Sequence, residues 1–137
     1  MTDSQNIRDR TFAFACAVAK RVLRLQPRPG IRCLIDQLLK SATSVGANLE
    51  EAKAGSSKRE FIRYVEISLR EAREAAYWLR IFAGLELDSS QELKELAQEA
   101  EQIARILGAI VVKSKLRVSA GYALFAFCIL NFALVVS

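Results

Sequence analysis

At 137 residues the chain has the length of one domain. Twenty Lys and Arg face 15 Asp and Glu, a formal net charge of +5, and 52% of residues are hydrophobic with only six Gly and two Pro. The absence of His excludes a Ser-His-Asp triad, a Cys–His pair and any His-ligated metal, and Cys16, Cys33 and Cys128 lie far apart with no CxxC, so neither a zinc knuckle nor a disulfide framework is indicated. No cofactor-binding motif is present, and no enzymatic activity is expected.

The first helical pattern covers about 5–26. Ile7, Thr11, Phe14, Val18, Val22 and Leu25 recur at gaps of three and four, the mark of one buried stripe. Pro27 and Pro29-Gly30 end it, because proline lacks the N–H and clashes with the preceding turn. Arg10, Arg21 and Arg24 share a face beside this stripe and are candidates for nucleic-acid contact.

The second pattern covers about 31–54, with Ile31, Leu34, Leu38, Ala42, Val45, Leu49 and Ala52 as its stripe. Its middle is small (Ser41, Ala42, Ser44, Gly46, Ala47), which lets a neighbouring helix approach closely. Gly55 is expected just past its end, as a C′ residue. Asn48 and Glu51 lie off the stripe. They suit either a polar contact to another helix or subunit, or a local hydrogen-bond network near the helix end.

The third pattern covers about 57–84. Ser57 and Glu60 have the spacing of a capping box. Phe61, Val65, Ser68, Ala72, Ala75, Leu79 and Phe82 form the stripe. Tyr64, Ile67, Trp78 and Ile81 lie outside it, and a helix with apolar groups on more than one side has more than one partner, which points to a homo-oligomer. Arg59, Arg63, Arg70, Arg73 and Arg80 fall within about 100° of one another at 100° per residue, with Tyr77 in the same sector. Guanidinium groups interleaved with an aromatic suit phosphate contacts and base stacking. Glu66 and Glu74 interrupt this face, so a solvated, salt-bridged surface built on pairs such as Glu66–Arg70 is the competing reading.

The fourth pattern covers about 89–115, opened by a second box at Ser89 and Glu92, with Leu93, Leu96, Ala100, Ile103, Leu107 and Ile110 as its stripe. Short breaks between long helices predict an all-α, antiparallel, up-and-down four-helix bundle over residues 1–117.

Residues 118–137 form a separate apolar tail, with 16 apolar residues of 20 and no charge. Lys113, Lys115 and Arg117 precede it. A membrane anchor with the bundle on the cytoplasmic side, a segment packed on the assembly, and an unselected extension of the reading frame all fit. The polar start, Met1–Asp9, does not resemble a signal peptide, so a cytoplasmic location is expected.

Three blocks in order carry a resemblance. Ser44-Val45-Gly46-Ala47-Asn48-Leu49-Glu50-Glu51-Ala52 is similar to S-I-x-x-N-I-x-E-G, with Ala52 in place of the usual Gly. Ser57-Lys58-Arg59-Glu60-Phe61-Ile62-Arg63-Tyr64 is similar to S-x-x-E-F-x-x-F/Y. Glu71-Ala72-Arg73-Glu74-Ala75-Ala76-Tyr77-Trp78-Leu79 is similar to E-x-x-E-x-x-x-W-L. The sequence thus resembles the bacterial 23S rRNA intervening-sequence, or S23-like, four-helix-bundle proteins over most of residues 5–115.

The resemblance implies a ring-like homopentamer, and genes of the family often sit within 23S rRNA intervening sequences. A related branch is the accessory protein of diversity-generating retroelements, which implies a reverse transcriptase or RNA as partner. Five copies at +5 each would carry a formal charge of +25, a strong attractor of polyanions at low salt.

Overall fold

The computed structural model describes residues 3–25, 29–88 and 90–136, with side chains over 7–25, 29–88 and 90–121. Four helices follow one another: α1 (Asp3–Val22), α2 (Arg32–Ala54), α3 (Lys58–Gly84) and α4 (Gln91–Val136). Helix α1 packs on α2 and α4, and α3 packs on α2 and α4, so α1 and α3 sit on one diagonal of the bundle. Pairs such as Arg8–Glu50, Ser68–Val45 and Glu66–Lys115 make each neighbouring pair antiparallel.

The stripes meet in one core. Val18, Leu38, Val45, Val65, Leu79, Phe82, Ile103 and Leu107 are almost completely buried, and Leu25, Leu34 and Ile110 cover its edges. Small side chains set the helix spacing. A Cβ on Gly46 would lie 3.4 Å from Thr11 Oγ1, so α1 rests directly on the α2 backbone. Buried Ser68 Oγ donates to the Val45 carbonyl at 2.7 Å, tying α3 to α2 across the core. Among the described residues, every buried side-chain nitrogen and oxygen has a partner, as burial of polar groups requires.

The helix ends differ from expectation in five places. Helix α1 stops at Val22 rather than near 26, and Leu23–Leu25 close a turn on the carbonyls of Ala19, Arg21 and Val22. Gly55 is the C-cap of α2 in extended backbone, φ −60° and ψ 142°, not a left-handed C′ residue. Its lack of a side chain is still used, because a Cβ there would meet Glu60 Cγ at 3.3 Å. Ser57 Oγ accepts the Glu60 N–H at 3.1 Å as expected, but the Glu60 carboxylate accepts the N–H of Ser56 rather than that of Ser57. At the start of α4 the capping hydroxyl belongs to Ser90, which accepts the Leu93 N–H at 3.2 Å, while Ser89 lies outside the described residues.

Helix α4 does not stop near residue 115 but runs on to Val136. Among the residues with described side chains, Val111 is the last buried apolar one, and Val112 and Leu116 are exposed. Among the described residues, no helix is long and apolar enough to cross a membrane. The anchor, packed-segment and extension readings of the tail rest mainly on side chains 122–137, which lie outside the described residues.

Candidate nucleic-acid interface

The arginine stripe of α3 is intact on the outside of the bundle. Arg59, Arg63, Arg70, Arg73 and Arg80 are all exposed. They span about 32 Å of helix at 1.5 Å per residue. Among the described residues none of the five has an ion-pair partner within 4 Å.

Both acids that interrupt the stripe are engaged elsewhere. Glu66 pairs with Lys115 of α4 at 2.5 Å instead of with Arg70. Glu74 accepts the indole N–H of Trp78 at 3.1 Å. The Glu66–Arg70 pair therefore does not form, and Arg70 stays exposed to solvent. The reason is geometric: the antiparallel α4 brings an ammonium closer to Glu66 than the flexible guanidinium one turn along.

The first-helix arginines behave in the opposite way. Arg10 grips Glu99 with two hydrogen bonds and adds the Gln102 side-chain oxygen at 2.6 Å. Arg21 binds both oxygens of Asp88 and approaches Glu92. These contacts hold the guanidinium charges higher in pKa, through the hydrogen bond first, and hold the Asp88 carboxyl down to about 2 against the cost of its burial. Arg10 and Arg21 thus clasp α1 to α4 and to the α3–α4 turn, and they leave the set of free phosphate contacts. Arg24 stays 65% exposed, with only a long 3.9 Å contact to Glu92.

On the α4 side of the stripe, Arg73, Tyr77 and Arg80 line a concavity of about 360 Å³ together with Ala76, Glu101, Ala104 and Arg105. Arg105 was absent from the sequence-derived candidates. Only the packing of α4 on α3 brings it beside Tyr77. Tyr77 is 54% exposed and its ring meets Trp78 edge to face, with centroids 5.3 Å apart.

The apolar set on the α2 side divides. Tyr64 and Trp78 pack partly against the core, and Ile67 and Ile81 are half-buried. None is fully enclosed by its own chain. Glu71 lies between them, its carboxyl pushed up by burial and by Glu74, with Lys40 and Arg70 opposing. Asn48 donates to the Ser44 carbonyl of its own helix at 2.8 Å, and Glu51 is exposed; neither reaches α3. Among the described residues, no cluster of three or more metal-ligating side chains is present.

The motif residues thus serve the fold first. Ser57 and Glu60 cap α3, Phe61 packs on the core, and Glu74 orients Trp78. The sequence model described as "23S rRNA-intervening sequence protein" matches residues 4–109. A crystal structure of a protein of unknown function from the S23 ribosomal protein family of Bacteroides thetaiotaomicron is similar to this chain, with a TM-score of 0.71 and 26% identity. That match covers 80% of this chain and 98% of the other. No curated protein matches.

Proposed function

The chain belongs to the 23S rRNA-intervening sequence protein family, and from that premise we propose that it is a non-enzymatic helical bundle that binds RNA through the outer face of α3. One observation carries this reading: five exposed guanidinium groups on one helix face, with both intervening carboxylates engaged elsewhere. Solvated arginines without intrachain partners can exchange water and counterions for phosphate oxygens at little cost to the fold. The RNA, or an enzyme acting on it such as a reverse transcriptase, is the partner, and the reaction chemistry belongs to that partner.

The bundle works as an oligomer, a pentamer, joined through Tyr64, Ile67, Trp78 and Ile81. Support comes from their position, half-open and adjacent to the arginine face. The cytoplasm is the compartment in which such a protein meets RNA.

Titrating the full chain into a labelled structured RNA at rising salt tests the proposal. Binding at about 50 mM salt that weakens linearly in log affinity against log salt is the expected result. No binding at that salt contradicts the reading.

A further inference from the structure

We infer that the concavity between α3 and α4 takes one unpaired nucleotide of single-stranded RNA, its base stacked on Tyr77 and its phosphates held by Arg73, Arg80 and Arg105. This rests on the RNA reading above and narrows it from a charged surface to a site with a strand preference.

Tyr77 is the right kind of platform. Tyr77 is 54% exposed, and its ring packs against Trp78 in a T-shaped arrangement at an interplanar angle of 66°. Trp78 is in turn tethered by its indole N–H to Glu74 at 3.1 Å. A ring restrained in this way loses little freedom when a base settles on it. Ala76 and Ala104 keep the concavity open beside the ring, and its volume is about 360 Å³.

The charges around it suit a nucleotide better than a bare polyanion. Three guanidiniums line the concavity with one carboxylate, Glu101, and none of the four makes an ion pair among the described residues. A carboxylate repels phosphate, but it accepts N–H groups. The exocyclic amine of a base supplies such a donor, whereas inorganic polyphosphate does not. In a duplex the bases are stacked on one another and their faces are closed to side chains, so Tyr77 gains nothing from double-stranded RNA.

The test uses the full chain with two probes, an oligocytidylate of about 12 nucleotides, within the usual span of single-strand sites, and an RNA duplex of equal length. Tyr77→Ala is expected to weaken oligocytidylate binding by roughly 5- to 150-fold, the range of one lost base–aromatic stack, with an unchanged salt slope. Tyr77→Trp should retain binding, and Tyr77→Ala should leave duplex affinity unchanged. Oligocytidylate affinity that survives Tyr77→Ala, or an equal loss for duplex, overturns this inference and leaves the arginine face as a general RNA surface. Failure of the parent to bind either probe overturns both readings.

Discussion

Glu66 of α3 pairs with Lys115 of α4 at 2.5 Å, and among the described residues Arg70, one turn further along its own helix, has no ion-pair partner within 4 Å. The acid that should neutralise the arginine stripe is thereby turned toward the neighbouring helix. This predicts the behaviour of Glu66→Gln. Both side chains are well exposed, 58% for Lys115 and 38% for Glu66. Thermal stability should change by less than about 1 kcal/mol, as for other surface pairs. Lys115 becomes available to phosphate, so RNA affinity should rise and the salt slope should steepen by up to about 0.7–0.9. A fall in RNA affinity would mean that Glu66 positions the interface instead of restraining it.

Asp88 makes stability sensitive to acid. Its carboxyl is drawn from an ordinary 3.8 to about 2, mainly by Arg21. A depressed carboxylate pKa contributes stability that is present above the unfolded value and is lost as pH falls through the folded value. The window is therefore about pH 4 down to pH 2, and the shift corresponds to about 2 kcal/mol. Denaturant melts of the parent should lose this increment across the window. Asp88→Asn, which cannot titrate, should show a flatter profile there; identical profiles would remove Asp88 as the cause.

Gly46 faces Thr11 at the α1–α2 contact. A Cβ fits there at 3.4 Å, so Gly46→Ala should be neutral or should stabilise by up to about 1 kcal/mol through helix propensity. Gly46→Leu has no such room and should cost about 1–3 kcal/mol through overpacking. Equal melting temperatures for the two variants would show that α1 does not rest on α2 at this point.

Among the described side chains the buried core runs no further than Val111, and both capping hydroxyls, Ser57 and Ser90, precede it. Removing residues 118–137 should therefore leave helical circular dichroism and cooperative melting in place. Loss of cooperative melting would assign the tail to the core.

The bundle was legible because burial at helical spacing repeats within each segment: Ile7, Thr11, Phe14, Val18 and Val22 were all identifiable from spacing and are all buried. What escaped the sequence depends on pairs far apart in the chain. Arg21 and Asp88 are 67 residues apart, and Arg10 and Glu99 are 89. No local rule distinguishes these clasped arginines from the free ones of α3. Arg105 escaped for the same reason, since only the α3–α4 packing places it beside Tyr77. At Ser89 and Ser90 the spacing to Glu92 favoured the first serine. The hydrogen bond from the Ser90 N–H to Asp88 holds the second one in the cap. Helix α4 was expected to end near Lys115 because its amphipathic stripe ends there. Yet no proline or paired glycine follows to break the backbone.

The central claim is that the α3 arginines meet RNA while the α1 arginines hold the bundle together. The direct measurement is the slope of log affinity against log salt, for a structured RNA, in the parent, in Arg63→Gln/Arg70→Gln/Arg73→Gln and in Arg10→Gln. Gln retains helix propensity and removes only charge. The triple variant should bind less steeply, each lost phosphate contact removing about 0.7–0.9 from the slope, while Arg10→Gln keeps the parent slope and melts at lower temperature. A triple variant with the parent slope would contradict the account.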